Sequence, residues 1–284
     1  MINYVNKIGL GTVQFGLDYG ISNDSGITSS VEIHNILEYA RDNKIELVDT
    51  AFSYGTSEEC LGEHNLEKLK IVSKFPRIEG GSIKIFFEQS ISRMKISNLY
   101  GYLAHSGQNL INNPSLWNDL VELKESGKVE KIGYSLYKPK ELEQLLALGM
   151  KPDLIQIPFN ILDNRFEQFF GELKGMGTEI HTRSCFLQGL FFLDPKELNP
   201  FFNPAKRFLI EFHEKIKSVD DKISYLINYA ASFEAVDKVI LGVNNVSQLN
   251  QNFTSLSERV NHFNLELTDK IPEDILLPSK WPVK

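Results

Sequence analysis

The sequence predicts a (β/α)8 TIM barrel of the α/β class. Three observations carry that expectation. Eight short β-type runs alternate with longer amphipathic stretches from end to end. No Gly-x-Gly-x-x-Gly follows the first run, which argues against the rival arrangement, an open doubly wound sheet. No Pro/Gly/Ser-rich linker or shift of composition divides the 284 residues, so residues 1–284 read as one domain of ordinary barrel size.

The strands are expected at Lys7–Gly11, Glu46–Asp49, Lys70–Lys74, Leu99–His105, Lys131–Ser135, Leu154–Ile157, Glu179–Arg183 and Lys238–Leu241. Helical patterns with readable ends lie between them. Ser29-Ser30-Val31-Glu32 has the form of a capping box ahead of the Ile33–Ala40 stripe, with the Ser29 hydroxyl and Glu32 carboxylate satisfying free N–H groups. Asn113-Pro114 opens another helix that places Leu116, Leu120, Val121 and Leu123 on its apolar side and ends at Gly127. Lys140–Leu148 and Arg165–Lys174 repeat the pattern. Ala205–Ala235 reads as two helices broken near Ser218–Asp220, and Ser247–Val260 as the last. Beyond Asn261, Pro272, Pro278 and Pro282 predict an irregular surface tail.

Composition removes several classes of function. Thirty basic against thirty-seven acidic side chains give a net charge of −7, with no basic stripe to follow a phosphate backbone, so nucleic-acid binding is not expected. The longest apolar runs, such as Leu187–Leu193, fall short of the ~20 residues that a membrane helix needs. Met1-Ile2-Asn3-Tyr4 lacks the basic and apolar regions of a signal peptide, which makes the cytoplasm the expected compartment. Cys60 and Cys185 are not expected to pair, and no Cys/His spacing of the zinc kind predicts a metal.

The active site of such a barrel lies at the C-terminal ends of its strands. Four titratable residues fall there: Asp49 after the second strand, Tyr54 in the loop that follows, Lys74 after the third and His105 after the fourth. Each alone has an ordinary structural use, as a cap, a loop filler or a solvated charge. Together they form a coherent acid–base set. A Tyr hydroxyl, with a pKa of about 10, is a weak acid at neutral pH unless a cation stabilises its phenolate. Lys74 is expected to supply that cation, Asp49 to fix the ammonium, and neutral His105 to orient a carbonyl oxygen.

With these residues in place the sequence resembles the aldo/keto reductase family. The likeness runs from Ile8-Gly9-Leu10-Gly11-Thr12 through Asp49-Thr50-Ala51-Phe52-Ser53-Tyr54-Gly55, Ser73-Lys74, Leu103-Ala104-His105 and Gly127–Gly133 to Val239–Asn252. The resemblance implies a catalytic tetrad of Asp49, Tyr54, Lys74 and His105. It also implies a nicotinamide dinucleotide, NADP(H) or NAD(H), held without a Rossmann domain. By the same resemblance Thr12, in the matched opening segment, is an expected cofactor contact. Ser135 and Gln156 match positions that hydrogen-bond the nicotinamide carboxamide, with Leu136 replacing a usual Asn. Arg183 stands where an aromatic ring often stacks on nicotinamide, and Ser184 and Gln188 lie in the segment resembling the pyrophosphate loop. Val243, Asn244, Asn245, Gln248 and Asn252 fall in the segment resembling the adenosine clamp, where a helix starting near Ser247 would offer N–H groups to a phosphate. That clamp contains no Lys or Arg, so a 2′-phosphate would rely on neutral Asn244, Asn245 and Gln248, helped by Arg183 or Lys206 from outside it.

Phe15, Tyr19, Phe52, Trp117, Phe191, Phe192, Phe201 and Phe202 are the candidates for shaping a substrate pocket, most of them expected to be core. The reading that results is reduction of an aldehyde or ketone, including a sugar or other small carbonyl. Two alternatives are an NADP(H)-sensing regulatory subunit with little turnover, as potassium-channel β-subunits resemble, and a barrel lyase or hydrolase using Asp49 and His105 without nicotinamide.

Overall fold

A computed structural model describes residues 4–256 and 271–282. Strands β1 (Ile8–Gly11), β2 (Leu47–Asp49), β3 (Lys70–Phe75), β4 (Leu99–Ala104), β5 (Val129–Ser135), β6 (Leu154–Pro158), β7 (Glu179–Arg183) and β8 (Lys238–Gly242) are all parallel, each pairs with its sequence neighbour, and β8 closes on β1. Every strand starts and ends within two residues of its expected position. The (β/α)8 barrel is the fold.

Period-two alternation explains how the barrel fills. Leu47, Val72, Leu103, Leu154 and Ile240 form one cluster inside it. The intervening residues, such as Val48, Ile71, Tyr102, Ile155 and Leu241, join the larger core beneath the surrounding helices. Where β5 and β6 approach most closely, Gly133 is required because a Cβ there would lie 1.8 Å from the Leu154 carbonyl oxygen. At the opposite end from the expected site, Glu179 accepts from Tyr100 Oη at 2.6 Å, lies 2.6 Å from His181 Nε2 and pairs with Lys131. These contacts hold the Glu179 carboxyl well below its usual range despite burial.

The helices follow the apolar stripes, with informative differences at their ends. Ser29 Oγ caps Ser30–Asp42 by accepting from Glu32 N at 3.3 Å. The Glu32 carboxylate, however, takes the Val246 N–H at 3.0 Å, so it ties two helices together rather than closing a capping box. Leu116–Glu125 and Pro139–Ala147 lie where expected, and Gly127 takes φ +74° behind the first of them. The stripe at Arg165–Lys174 instead becomes a 3-10 turn, Glu167–Phe169, leading into the shorter helix Phe170–Gly175. Arg165 is held by Asp163, with Nε–Oδ1 at 2.7 Å, and the chain ahead of the helix remains a loop. The break near Ser218 is present, with Asn203–Lys215 on one side and Val219–Ser232, capped by Ser218, on the other.

Between β7 and β8 the chain builds a second apolar cluster, in which Phe191, Phe202, Phe208 and Phe212 pack with Ile271, Ile275 and Trp281. The last expected helix is seen as Val246–Thr254, followed by a turn at 255–256, and the rest of its expected span, 257–260, lies outside the described residues. So does 261–270 of the tail, whose later part forms the short helix Glu273–Leu276 and a 3-10 turn, Pro278–Lys280. Both cysteines are free. Among the described residues, no helix is long and apolar enough to cross a membrane.

The glycines supply a paired test of this packing. Gly133→Ala should cost at least about 2 kcal/mol of stability, because backbone must move to admit the methyl group. Gly171→Ala, exposed in a helix with nothing within 4 Å of the new carbon, should gain up to about 1 kcal/mol. Urea midpoints at constant m-value measure both.

Candidate active site

The residues that point into the barrel two positions beyond its inner apolar layer face the mouth. Leu47 is followed by Asp49, Val72 by Lys74, Leu103 by His105, and Leu154 by Gln156. Lys74 is fully buried, and its ammonium donates to Asp49 Oδ1, Asp49 Oδ2 and the Thr50 carbonyl, each at 2.8 Å. An ammonium has no further N–H to offer. Gln156 Nε2 donates to the same Asp49 Oδ1 at 2.7 Å, which locks the carboxylate from across the barrel. Burial pulls the Lys74 ammonium below its ordinary pKa, and the Asp49 charge opposes that shift.

Tyr54 is placed by a close approach of two backbones. A Cβ on Gly16 would lie 2.0 Å from the Tyr54 carbonyl oxygen, and one on Gly55, at φ +57°, would lie 2.3 Å from the Gly16 carbonyl oxygen. Ser57 then bridges the loop to the strands, donating to the Thr12 carbonyl at 2.9 Å and lying 3.1 Å from Thr50 Oγ1. The Tyr54 ring sits over the Lys74 ammonium, 5.2 Å from its centroid, and edge-on to His105 at 5.5 Å. Lys74 therefore meets the face of the ring, and its hydrogen bonds go to Asp49 and Thr50. That corrects the expectation that Lys74 lowers the phenol's pKa. Burial first, and then the Asp49 charge, push the Tyr54 hydroxyl well above its ordinary value, while the one cation that opposes them is Arg183. Burial, Lys74 and Arg183 lower the His105 imidazole to about 3. Both groups are uncharged at neutral pH.

These side chains open into a cleft of about 630 Å³, the size of a small-molecule site. Asp49, Tyr54 and His105 line it, with Lys74 behind them. Of the expected binding residues, Thr12, Ser135, Gln156, Arg183, Ser184, Gln188, Asn244, Gln248 and Asn252 also line it. Val243 and Asn245 do not. The Val243 side chain is packed in the core, and Asn245 faces its own helix, accepting from Gln248 N at 2.9 Å. Since Val246 N is taken by Glu32, two of the N–H groups expected to meet a phosphate at this helix start have partners within the chain.

Of the aromatic residues expected to shape the pocket, Tyr19 and Phe192 line it; Phe15 and Phe191 are core. Tyr137 and Phe186 line the cleft and were not among them, although both lie just past strand ends, where barrel sites are built. The loop 17–28 was likewise not foreseen. It crosses the cleft and is tied on one side by Ile21 N to the Gln188 carbonyl at 3.2 Å and Gln188 Nε2 to Tyr19 Oη at 2.8 Å. On the other side, Asn244 Nδ2 donates to Asn23 Oδ1 and the Gly26 carbonyl, both at 3.1 Å.

The aldo/keto reductase family profile matches residues 7–271. The chain is 29% identical to the chloroplastic pyridoxal reductase of Arabidopsis thaliana over 178 residues, 54% of this chain and 48% of that protein. It is 27% identical to an oxidoreductase of Schizosaccharomyces pombe over 134 residues, 43% and 49% respectively. The matched part thus spans about half the length of these curated relatives. The holo form of the aldo-keto reductase AKR11C1 from Bacillus halodurans superposes with a TM-score of 0.75 at 20% identity, covering 90% of this chain and 88% of that one, which is a likeness of fold. Because the family match runs unbroken from the residue before β1 to Ile271 in the second apolar cluster, this chain belongs to the aldo/keto reductase family.

Proposed function

We propose that this chain is an NADP(H)-dependent reductase of a small aldehyde or ketone, in which the Tyr54 hydroxyl protonates the carbonyl oxygen. The observation that carries this reading is a neutral Tyr54 phenol and a neutral His105 imidazole side by side in one cleft, over the buried Lys74–Asp49 pair. His105 orients the substrate oxygen by donating to it, and Tyr54 delivers its proton to that oxygen as negative charge develops there. Arg183 then opposes, across the cleft, the cost of the phenolate left behind, while the paired Lys74 holds the ring in place. Water returns the proton.

When bound, the nicotinamide cofactor supplies the hydride for the carbonyl carbon. The residues present fit such a group. The cleft extends from the tetrad past Gly242 to Asn252, long enough for an extended ligand. Along the cleft wall Ser184, Leu187, Gln188 and Gly189 take φ of 63°, 45°, 52° and 91°, and the Leu187 and Gly189 N–H groups close the turn onto the Ser184 and Phe186 carbonyls, which sets Gln188 at the cleft. Gln14 Oε1, buried beside Gly242, has no hydrogen-bond partner and is available to a polar ligand atom. Ser135 is suited to the carboxamide end, while Gln156 would have to divide its amide between that end and Asp49. At the far end, Asn244, Gln248, Gln251 and Asn252 are neutral, so we propose NADP(H) over NAD(H) by a smaller margin than a bidentate arginine gives.

Titration of NADPH into the protein should raise its melting temperature by mass action, and no response at millimolar cofactor would end this reading. A screen of aldehydes and sugars, with pyridoxal included on account of the Arabidopsis relative's name, should find turnover. Tyr54→Phe should then leave NADPH affinity nearly unchanged and lower turnover by ~10²-fold or more. Near-parental turnover would remove Tyr54 as the acid.

The His105 shift makes a pH prediction. Its folded pKa of about 3 lies below the ordinary 6.5, so in that interval the unfolded chain binds a proton that the folded one does not. The stability His105 contributes is therefore complete above about 6.5 and is lost as pH falls towards 3. His105→Gln should flatten the stability curve over that window, and kcat/KM of the parent should show no histidine ionisation near pH 6.5.

A further inference from the structure

Arg183 ends β7 and is the one basic side chain lining the cleft among the described residues. Other half-buried cations of the chain hold carboxylates: Arg93 holds Glu58 and Glu59, Lys131 holds Glu179, and Arg165 holds Asp163. The contacts of Arg183 are neutral. Its Nη2 donates to the Leu136 carbonyl at 3.0 Å, its Nη1 to Ser184 Oγ at 3.2 Å, and its Cζ lies 4.1 Å from the centroid of the Tyr137 ring. Asp49, the carboxylate nearest the chemistry, is already held by Lys74 and Gln156, and Asp24 is exposed at the rim. Among the described residues no carboxylate pairs with this half-buried guanidinium, so only neutral groups meet its charge.

The arrangement around Arg183 is rigid. Tyr137 is fixed on both sides, its N–H donating to Glu141 Oε2 at 3.0 Å and its carbonyl accepting from Arg165 Nη2 at 3.2 Å. The guanidinium is thus held along one edge by backbone and on one face by a ring, with N–H groups left over for a ligand. It lines the same cleft as Tyr54, His105 and Tyr19, and its contacts with Leu136, Tyr137 and Ser184 place it at the C-terminal ends of β5 and β7.

We infer that the carbonyl compound this site takes carries a carboxylate or phosphate group, and that Arg183 binds that group beside Tyr54 and His105. The inference rests on the reductase reading and deepens it. Tyr19, Tyr137 and Phe192 provide apolar surface for the body of the substrate, while Arg183 fixes its charged end. A phosphate of the cofactor has the same chemistry as the proposed ligand group, and the test separates the two.

The test compares kcat/KM with NADPH for two matched pairs: 4-carboxybenzaldehyde against its methyl ester, and succinic semialdehyde against its methyl ester. The parent should favour the acids by about tenfold or more, the scale of one hydrogen-bonded charge. Arg183→Met should bring both ratios close to one, with any loss of kcat shared by acid and ester, and Arg183→Lys should keep part of the preference. In a second arm, with no turnover needed, benzoate should raise the parent's melting temperature more than benzamide does, and Arg183→Met should abolish the difference. The inference is overturned if the parent does not distinguish acid from ester. It is also overturned if Arg183→Met keeps the ratio, or loses NADPH affinity with the ratio unchanged, which would assign the charge to the cofactor. Aldehyde reduction without discrimination would leave the reductase reading standing and this one fallen. Arg183-dependent benzoate protection in a protein that reduces no aldehyde would do the reverse.

Discussion

The site depends on a buried ion pair. Lys74 and Asp49 have both left water, a step that costs several kcal/mol per ion and is recovered only if every charged hydrogen-bonding group finds a partner. Here the ammonium has the two carboxylate oxygens and the Thr50 carbonyl, and the carboxylate has Gln156 as well. Contacts so fully satisfied leave little freedom to β2, β3 and β6, from which they come. Tyr54 inherits its position from that arrangement: Phe52 N bonds the Lys74 carbonyl at 3.0 Å, and Ser57 ties the far side of the loop to Thr12 and Thr50. The pair therefore works as a foundation under the phenol, and removing either partner would strand a buried charge.

The same burial sets the protonation states. A phenol raised by desolvation holds its proton until a stronger demand appears, and an imidazole lowered by desolvation and by two cations cannot become a competing acid. Two neutral donors beside an inert ion pair suit a reaction in which negative charge appears briefly on a carbonyl oxygen. A site built to generate a nucleophile at neutral pH would need the opposite shifts, a raised imidazole pKa or a depressed phenol.

Much of this was legible in the sequence because the barrel obeys a period of two. Once β2, β3, β4 and β6 are recognised, the inner-layer residues Leu47, Val72, Leu103 and Leu154 fix which side faces inward, and Asp49, Lys74, His105 and Gln156 follow two positions later. Loops carry no such rule. Side-chain type suggested that Asn245 and the start of the last helix face a ligand, but Asn245 caps its own helix and Glu32, remote in sequence, takes the next N–H. The crossing of the cleft by loop 17–28 depends on bonds to Gln188 and Asn244, more than 160 residues away in the chain. The positive φ of Ser184, Leu187 and Gln188 was hidden for a different reason, since only the neighbouring Gly189 announces such a conformation.

Lys74 illustrates the limit of reading chemistry from residue types. A cation near a tyrosine suggests a lowered phenol pKa, and that holds only if the cation has a proton or an uncompensated charge to offer. The three donors of Lys74 are engaged and its charge is balanced by Asp49 at 2.8 Å, so what reaches Tyr54 is closer to the field of a dipole than of a cation. Arg183 has no counter-ion in the cleft, and its charge acts on the site undiminished by pairing. Both cations act on His105, but at Tyr54 the pairing of Lys74 with Asp49 leaves Arg183 as the cation whose charge is felt, and that difference is set by their partners.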